Sequence, residues 1–289
     1  GMEVRCLVRS SSNLRWIADL NVECFYGSLQ LKDTLTRALE NVDYVYHLAG
    51  VTKALTTDTF YEHNVQGTKK LIHAILESKV SLKRFLFVSS QAVAGPSGSL
   101  NPIVETDKEN PVTEYGKSKL EAEKIVNSVK GRVPFTIIRP PVVYGPRDTD
   151  VFQFIKTVKM GVIPKLDGRE KYVSLIYVKD LVRAIHLAAT RKAAEGKTYF
   201  VANPQPYSWE AISKAALKHF NKKGVSLSIP SFLLDGLSFA ADGFSKLTGK
   251  ASIFSRHRVT ELKQDFWVCS SRLIKKDLDN DPFCKKSAC

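Results

Sequence analysis

RFLFVSS, residues 84–90, is the most informative segment of this chain for predicting its fold. Its apolar residues are nearly continuous, without polar residues at alternate positions, which is typical of a strand buried on both faces. A helical pattern follows at 114–130, and a second apolar stretch, PFTIIRP, lies at 134–140. Apolar strands that alternate with helices predict a parallel sheet covered by helices on both sides, which is a doubly wound α/β fold.

The same alternation extends toward the start of the chain. Strands are predicted at VRCLV (4–8) and DYVYHLAG (43–50), and helices at 31–42 and 60–79. In folds of this class, ligands bind beyond the carboxyl ends of the parallel strands. We therefore look for the functional site among the residues that follow each strand.

Length and composition are those of an ordinary globular protein. The chain has 289 residues, 44% of them hydrophobic and 25% charged, so it can bury a large core. No run of uninterrupted apolar residues reaches about 18, the length that crosses a membrane. The most hydrophobic late segment, 229–244, contains Asp235 and Asp242, and we expect it to be an amphipathic packing helix.

The cysteines show neither CxxC pairs nor metal-ligand spacing; they are Cys6, Cys24, Cys269, Cys284 and Cys289. This usage is typical of reduced thiols, so we expect a cytoplasmic protein with no bound metal. The net charge of +14 has two interpretations, nucleic-acid binding or a basic surface that suits a phosphate-bearing ligand. Because the lysine pairs are scattered and no nucleic-acid-binding motif accompanies them, we favour an anionic cofactor and no nucleic acid.

A tyrosine and a lysine stand four residues apart in the predicted helix 114–130, so Tyr115 and Lys119 lie on one helix face. An ammonium group beside a phenol lowers the tyrosine pKa, which makes the phenol usable as a general acid and base. Ser90, at the end of the preceding strand, could hold the same substrate oxygen. The alternative is a solvated helix face with ordinary charge pairs, since this spacing is weak evidence alone.

Five ordered motifs together resemble the extended short-chain dehydrogenase/reductases, also called the NAD-dependent epimerase/dehydratase family. The motifs are DYVYHLAG, NVQGTKKLIHA (64–74), FVSSQAVAG with YGKSK, RPPVVYGPRD (139–148) and LIYVKDLVRAI (175–185). The resemblance implies a Rossmann domain over 1–203 and a smaller, mainly helical substrate region over 204–289. Residues 146–170 are expected to contribute to the substrate side.

The resemblance also implies a catalytic set of Ser90, Tyr115 and Lys119. The 25-residue separation between the serine and the tyrosine suits the extended branch and selects Ser90 over Ser89. The residues expected to bind the cofactor are Arg9, Ser28, Leu29, Leu48, Ala49, Gly50, Tyr115, Lys119, Pro140 and Val143.

The end of the opening strand bears on the choice of cofactor. It reads Val8-Arg9-Ser10, without the acidic residue that usually binds the adenosine ribose of NAD. Arg9 could instead pair with the 2′-phosphate of NADP, the alternative being a solvated loop arginine. We therefore predict NADP rather than NAD.

By the same resemblance, the opening strand corresponds to the second strand of the family. The family's first strand and glycine-rich turn, roughly 25 residues, would come before it. Because that turn cradles the pyrophosphate, we expect the sequence as it stands to bind the cofactor weakly.

The function implied is an NADP(H)-dependent oxidoreductase that acts on a carbonyl or a secondary alcohol. Two alternatives stay open: a nucleotide-sugar epimerase or dehydratase with a tightly held cofactor, and a non-catalytic scaffold or nucleic-acid binder. Arg147 and Asp148 could reach a small-molecule substrate, or they could form a structural salt link. The order of the later segments resembles dihydroflavonol reductases and 3β-hydroxysteroid dehydrogenases, and a homodimer remains open.

Overall fold

The structure is a computed structural model that describes residues 2–78, 80–236, 238 and 256–278. Its strands are β1 Arg5–Val8, β2 Glu23–Tyr26, β3 Tyr44–His47, β4 Arg84–Val88, β5 Phe135–Arg139, β6 Val142–Tyr144, β7 Val162–Leu166, β8 Tyr172–Val173, β9 Leu175–Tyr177, β10 Lys197–Phe200, β11 Tyr207–Ser208, β12 Val225–Ile229 and β13 Phe266–Trp267. Its helices are α1 Lys32–Ala38, α2 Thr57–Phe60, α3 Gly67–Ser78, α4 Glu114–Asn127, α5 Asp150–Lys159, α6 Val178–Thr190, α7 Trp209–His219, α8 Arg256–Lys263 and α9 Arg272–Leu278. A π-helical turn, Tyr61–Gln66, joins α2 to α3, and short 3-10 turns lie at Gln91–Val93 and Lys192–Ala194.

The central sheet has four parallel strands in the order β10-β5-β4-β3. Successive residues of β4 point to opposite faces of this sheet. Phe85 and Phe87 enter a core built with α1, α3 and α4, whereas Leu86 enters a second core built with α6 and α9. Both faces of the strand are therefore buried, which is why its sequence shows no polar alternation. The predicted doubly wound fold is confirmed.

A second pair of parallel strands, β1 and β2, packs near helix α1. Its register places Leu7 opposite Phe25, and Leu7 packs against the same core as α1. In the described residues this pair forms a sheet of its own, because neither strand is hydrogen-bonded to β3. The sheet surface is thus interrupted between β1 and β3.

A smaller core forms where α5 and β7 meet α7 and β12. Val158, Ile163 and Leu217 are buried there, and the ring of Phe154 packs edge-on against Trp209. Residues on both sides of position 203 therefore share one packing unit; the contribution of 146–170 to a substrate side stays a prediction. The division of the chain at residue 203 stays a prediction, and α9 packs back onto the central sheet through the second core.

The predicted strands and helices of the first half occur where the sequence patterns indicate them, except that the helix predicted over 60–79 contains the π-helical turn. The late apolar segment begins as a helix at 231–236, and the rest of it lies outside the described residues, apart from residue 238. Cys284 and Cys289 also lie outside them. Among the described helices, none has the length and apolar character needed to cross a membrane.

A buried ion pair joins α4 to β5. The guanidinium of Arg139 donates to both carboxylate oxygens of Glu123, at 3.0 and 2.6 Å, and also to Glu109 at 3.0 Å. Arg139 and Glu123 are both almost fully buried, and the Phe200 ring lies 5.6 Å from the guanidinium carbon. Because each charge depends on the other for compensation, removing one leaves the other uncompensated in the core.

We expect Glu123→Gln to lower the free energy of unfolding by about 3 kcal/mol, since Arg139 would keep only its half-exposed partner. The measurement is urea denaturation of the variant beside Glu121→Gln. Glu121 is a half-exposed residue of the same helix whose ion pair with Lys124 spans 2.6 Å, so the loss of this pair should cost less than about 1 kcal/mol. Equal losses for the two variants would contradict a structural role for the buried pair.

Candidate active site

The carboxyl ends of β3, β4 and β5 meet at one edge of the central sheet, and α4 lies across that edge. Residues 48–50 follow β3, Ser89 and Ser90 follow β4, and Pro140 follows β5. Pro140 and the turn after Ser90 are joined by a hydrogen bond from the backbone N–H of Gln91 to the Pro140 carbonyl, at 2.9 Å. The segments in which most of the site residues were predicted therefore converge.

Helix α4 begins in a way that brings its first turn against the end of β4. The hydroxyl of Thr113 caps the helix by accepting from the backbone N–H of Gly116 at 3.1 Å. A Cβ atom on Gly116 would lie only 2.5 Å from the Ala92 carbonyl oxygen, so a residue with a side chain would push the two segments apart. Tyr115, next to this glycine, is held beside the turn that Ser90 begins.

The Lys119 side chain is buried at this edge of the sheet. Its Nζ donates to the Val88 carbonyl oxygen at 2.7 Å and lies 4.3 Å from the centroid of the Phe87 ring. Burial lowers the pKa of Lys119 to about 8, against the opposing effect of the Glu123 carboxylate. The amine is therefore close to its titration range at neutral pH, yet still mostly charged.

Tyr115 and Ser90 are both half-buried at this edge. The Tyr115 ring packs 6.1 Å from the Phe60 ring, centroid to centroid. Ser90 adopts an extended backbone, and its hydroxyl oxygen accepts from the backbone N–H of Ala92 at 3.2 Å, so its proton stays available for another acceptor. The geometry thus offers a phenol, a hydroxyl and an ammonium group from neighbouring segments.

Asn64 joins the segment after β3 to helix α4, a role that the sequence motif did not reveal. Its side-chain oxygen accepts from the Val51 N–H at 2.8 Å, and its amide nitrogen donates to the Val51 carbonyl at 3.1 Å and to the Ser118 hydroxyl at 2.9 Å. A Cβ atom on Gly50 would lie 2.9 Å from that side-chain oxygen and 3.9 Å from Lys119 Nζ. A side chain at position 50 would collide with the Asn64 oxygen, and its Cβ atom would occupy the space next to the ammonium group.

His47, the last residue of β3, is a second group that sequence reasoning missed. The Thr68 hydroxyl donates its proton to the Asn64 carbonyl at 2.7 Å, so it must accept from His47 Nε2, at 2.9 Å. Burial, together with the positive charge of Lys119, lowers the pKa of His47 to about 3. The imidazole is therefore neutral at any physiological pH and adds no positive charge beside the lysine.

The other predicted cofactor residues are placed in different surroundings. Leu48, Ala49 and Gly50 are exposed. Arg9 is exposed as well and begins a turn after β1. Its guanidinium has no ion-pair partner among the described residues. Ser28 and Leu29 form the turn before α1; the serine hydroxyl accepts from the Gln30 N–H, and Leu29 packs into the core against Gly67. Pro140 is buried, and Val143 is half-buried on β6 opposite Ile176.

The structure does not pair Arg147 with Asp148. The Arg147 guanidinium stacks over the Trp16 ring at 4.2 Å, whereas both carboxylate oxygens of Asp148 accept backbone N–H groups at the start of α5, from Asp150 and Phe152. Trp16 carries a second guanidinium, that of Arg15, at 4.4 Å. The alternative of a salt link between residues 147 and 148 is therefore not what the structure shows.

Comparison with known proteins identifies the family. The model of the NAD dependent epimerase/dehydratase family matches residues 1–202, more than half of the chain. The chain belongs to this family. It is an NAD(P)-dependent enzyme of the extended short-chain dehydrogenase/reductase type, an oxidoreductase or an epimerase.

Relatives within the family catalyse different reactions. The N-acetyl-alpha-D-glucosaminyl-diphospho-ditrans,octacis-undecaprenol 4-epimerase of Escherichia coli O157:H7 is 31% identical over 242 residues, which cover 81% of this chain and 71% of that protein. The ceramide reductase of Caulobacter vibrioides is 26% identical, with 94% and 80% covered. Among solved structures, DesIV, a dTDP-glucose 4,6-dehydratase of Streptomyces venezuelae with NAD and TYD bound, superposes with a TM-score of 0.73 at 17% identity and covers 94% of this chain and 78% of that one.

The close approach at Gly116 gives a test of this family member's site geometry. At an open helix position, replacing glycine by alanine stabilises a protein by about 0.5 to 1 kcal/mol. Here the new methyl group would meet a backbone carbonyl, so we expect Gly116→Ala to lower the free energy of unfolding by about 1 to 3 kcal/mol. Thermal unfolding measures the sign directly, and a stabilised variant would contradict the close contact between α4 and the turn after Ser90.

Proposed function

We propose that this protein transfers hydride between NADP(H) and a carbonyl compound or secondary alcohol, with Ser90, Tyr115 and Lys119 as its catalytic residues. The observation that carries the proposal is the buried ammonium of Lys119, one helical turn after Tyr115 and hydrogen-bonded to the end of β4. A solvated helix face would leave that lysine in water. Burying it is costly and supports a chemical role.

In this proposal Tyr115 donates a proton to the substrate oxygen during reduction and removes it during oxidation. The Lys119 ammonium favours the phenolate and so lowers the energy of that proton transfer. Ser90, whose hydroxyl proton is not used within its own turn, donates a hydrogen bond to the same oxygen and holds it in line with the phenol. Bound NADPH would supply the hydride.

The residues at the strand ends fit the nicotinamide half of such a cofactor. Gly50 leaves room beside the lysine amine, and Leu48 and Ala49 expose a short segment over which a ribose can lie. Pro140 and Val143 would line the nicotinamide site, and Ser28 and Leu29 would line the adenine site.

Arg147, which is stacked on Trp16, and Asp148 remain candidates for substrate contact. A cytoplasmic location and a homodimer also stay predictions.

NADP rather than NAD is proposed because of Arg9. Its exposed guanidinium has no ion-pair partner among the described residues, and no carboxylate stands beside it at the end of β1. A 2′-phosphate offers such a guanidinium a bidentate partner.

A second candidate function is favoured by one relative. The epimerase of Escherichia coli is 31% identical over most of this chain, and an epimerase would use the same three side chains while keeping its cofactor bound. The test is whether the purified protein consumes added NADPH in the presence of ketones. Stoichiometric retention of oxidised cofactor without net consumption would favour the epimerase.

Tyr115→Phe is expected to reduce turnover by about 100-fold or more, with cofactor affinity nearly unchanged, because only the phenolic proton is lost. Lys119→Ala should lose both turnover and cofactor affinity, since the ammonium would also hold the nicotinamide ribose. Steady-state kinetics and cofactor titration measure the two effects. The matched control is Tyr61→Phe. Tyr61 is a half-buried tyrosine whose hydroxyl donates to Glu114. Near-normal turnover in Tyr115→Phe would remove the tyrosine from the mechanism.

Arg9→Ala is expected to weaken NADPH binding by about 1.5 to 3 kcal/mol, the value of a charged hydrogen bond, and to leave NADH binding nearly unchanged. Calorimetric titration with both cofactors measures this difference. Arg132→Ala removes the same charge from an exposed position between α4 and β5, at the opposite end of the strands, and controls for net charge. Equal losses for both cofactors would show that Arg9 only shapes its turn.

A further inference from the structure

The Phe87 ring covers one side of the Lys119 ammonium group. Lys119 Nζ lies 4.3 Å from the centroid of this fully buried ring, within the distance at which a cation is attracted to a π face. The next residue, Val88, supplies the carbonyl oxygen that accepts from Nζ at 2.7 Å. Consecutive residues of β4 thus provide two separate contacts to one charge.

Among the residues that the structure describes, few other groups compensate this charge. The titratable side chains that face it are His47 from β3 and, on its own helix, Tyr115 and Glu123. His47 is neutral, and both carboxylate oxygens of Glu123 are taken by Arg139 from β5. The ring of Phe87 and the Val88 carbonyl are therefore the main direct contacts that offset the loss of hydration.

We propose that Phe87 is a positioning residue for the reaction, whose π face stabilises the buried Lys119 ammonium and holds Nζ at the end of β4 beside Gly50. The inference rests on the proposed function, because positioning matters only if Lys119 serves the reaction. A leucine at position 87 would keep an apolar side chain in the core but would lack the electron-rich face, so it separates packing from the cation–π contact.

The chain offers a matched control in Phe85. This residue lies two positions earlier on the same strand, points to the same face, is equally buried in the same core and makes no ring contact with Lys119 in the described residues. Phe85→Leu and Phe87→Leu should therefore lower the melting temperature by similar amounts. Any difference in the state of Lys119 between them reports the ring contact itself.

The first measurement is the pH titration of the Lys119 side-chain carbon signal in the purified protein, with ¹³C-labelled lysine and Lys119→Met for assignment. We expect Phe87→Leu to lower the pKa of Lys119 by about 0.5 to 1 pH unit, and Phe85→Leu to leave it unchanged. An unchanged pKa in Phe87→Leu, or equal changes in both variants, would overturn the inference and leave the proposed function intact.

The second measurement is NADPH affinity against pH, followed by nicotinamide fluorescence. The charged amine is the binding form, so affinity should fall as pH rises through the Lys119 pKa, and Phe87→Leu should move this fall to lower pH by the same interval as the carbon signal. If the carbon signal moves and the binding curve does not, Lys119 does not hold the cofactor, which overturns both the positioning role and the proposed role of the lysine.

Discussion

The buried ammonium group of Lys119 determines where the other parts of the candidate site must lie. Removing a charge from water costs several kcal/mol unless nearby groups replace its hydration, and here the replacements are the Val88 carbonyl and the Phe87 ring. These two groups come from consecutive residues of β4, a strand that is hydrogen-bonded to β5 on one side and to β3 on the other. The location of the amine is therefore set by the register of the sheet, not by a flexible side-chain partner. Tyr115, one turn earlier on the same helix, acquires its position from that register as well.

Two short-range contacts keep α4 where this arrangement needs it. At Gly116 the helix approaches the Ala92 carbonyl more closely than any residue with a Cβ would allow. On the other side, the Asn64 amide joins the helix, through Ser118, to the backbone of Val51. The first contact brings the tyrosine to the turn after β4, and the second brings the segment after β3 to the lysine. The first contact requires glycine, which has no Cβ atom, and the second uses both the oxygen and the nitrogen of the Asn64 amide. The site therefore tolerates little movement of the helix.

Much of this organisation could be predicted from local pattern, and the rest could not for a physical reason. Strand and helix periodicity depends on neighbours in sequence, and so the main strands, α4 and the shared face of Tyr115 and Lys119 were all recoverable. Phe87, by contrast, looks like any aromatic residue of a buried strand, because periodicity cannot tell a ring that packs on aliphatic carbon from one that packs on an amine. His47 and Asn64 are similar cases: their partners lie on elements distant in sequence, and only the assembled sheet brings them together. The pairing of β7 with β12 is hidden for the same reason.

The ion pair between Arg139 and Glu123 determines which groups the Lys119 ammonium can contact. Lys119 and Glu123 are four residues apart on α4, a spacing at which a lysine and a glutamate commonly pair. Had they paired, the ammonium would point along the helix, away from the phenol and from the space that Gly50 leaves open. Arg139 instead takes both oxygens of the carboxylate from the side of β5, at 3.0 and 2.6 Å. The carboxylate still favours the charged amine at a distance, yet it no longer competes for its hydrogen-bond donors. The ion pair thus stabilises the core and also leaves the lysine buried at the end of β4, with N–H groups that Glu123 does not occupy.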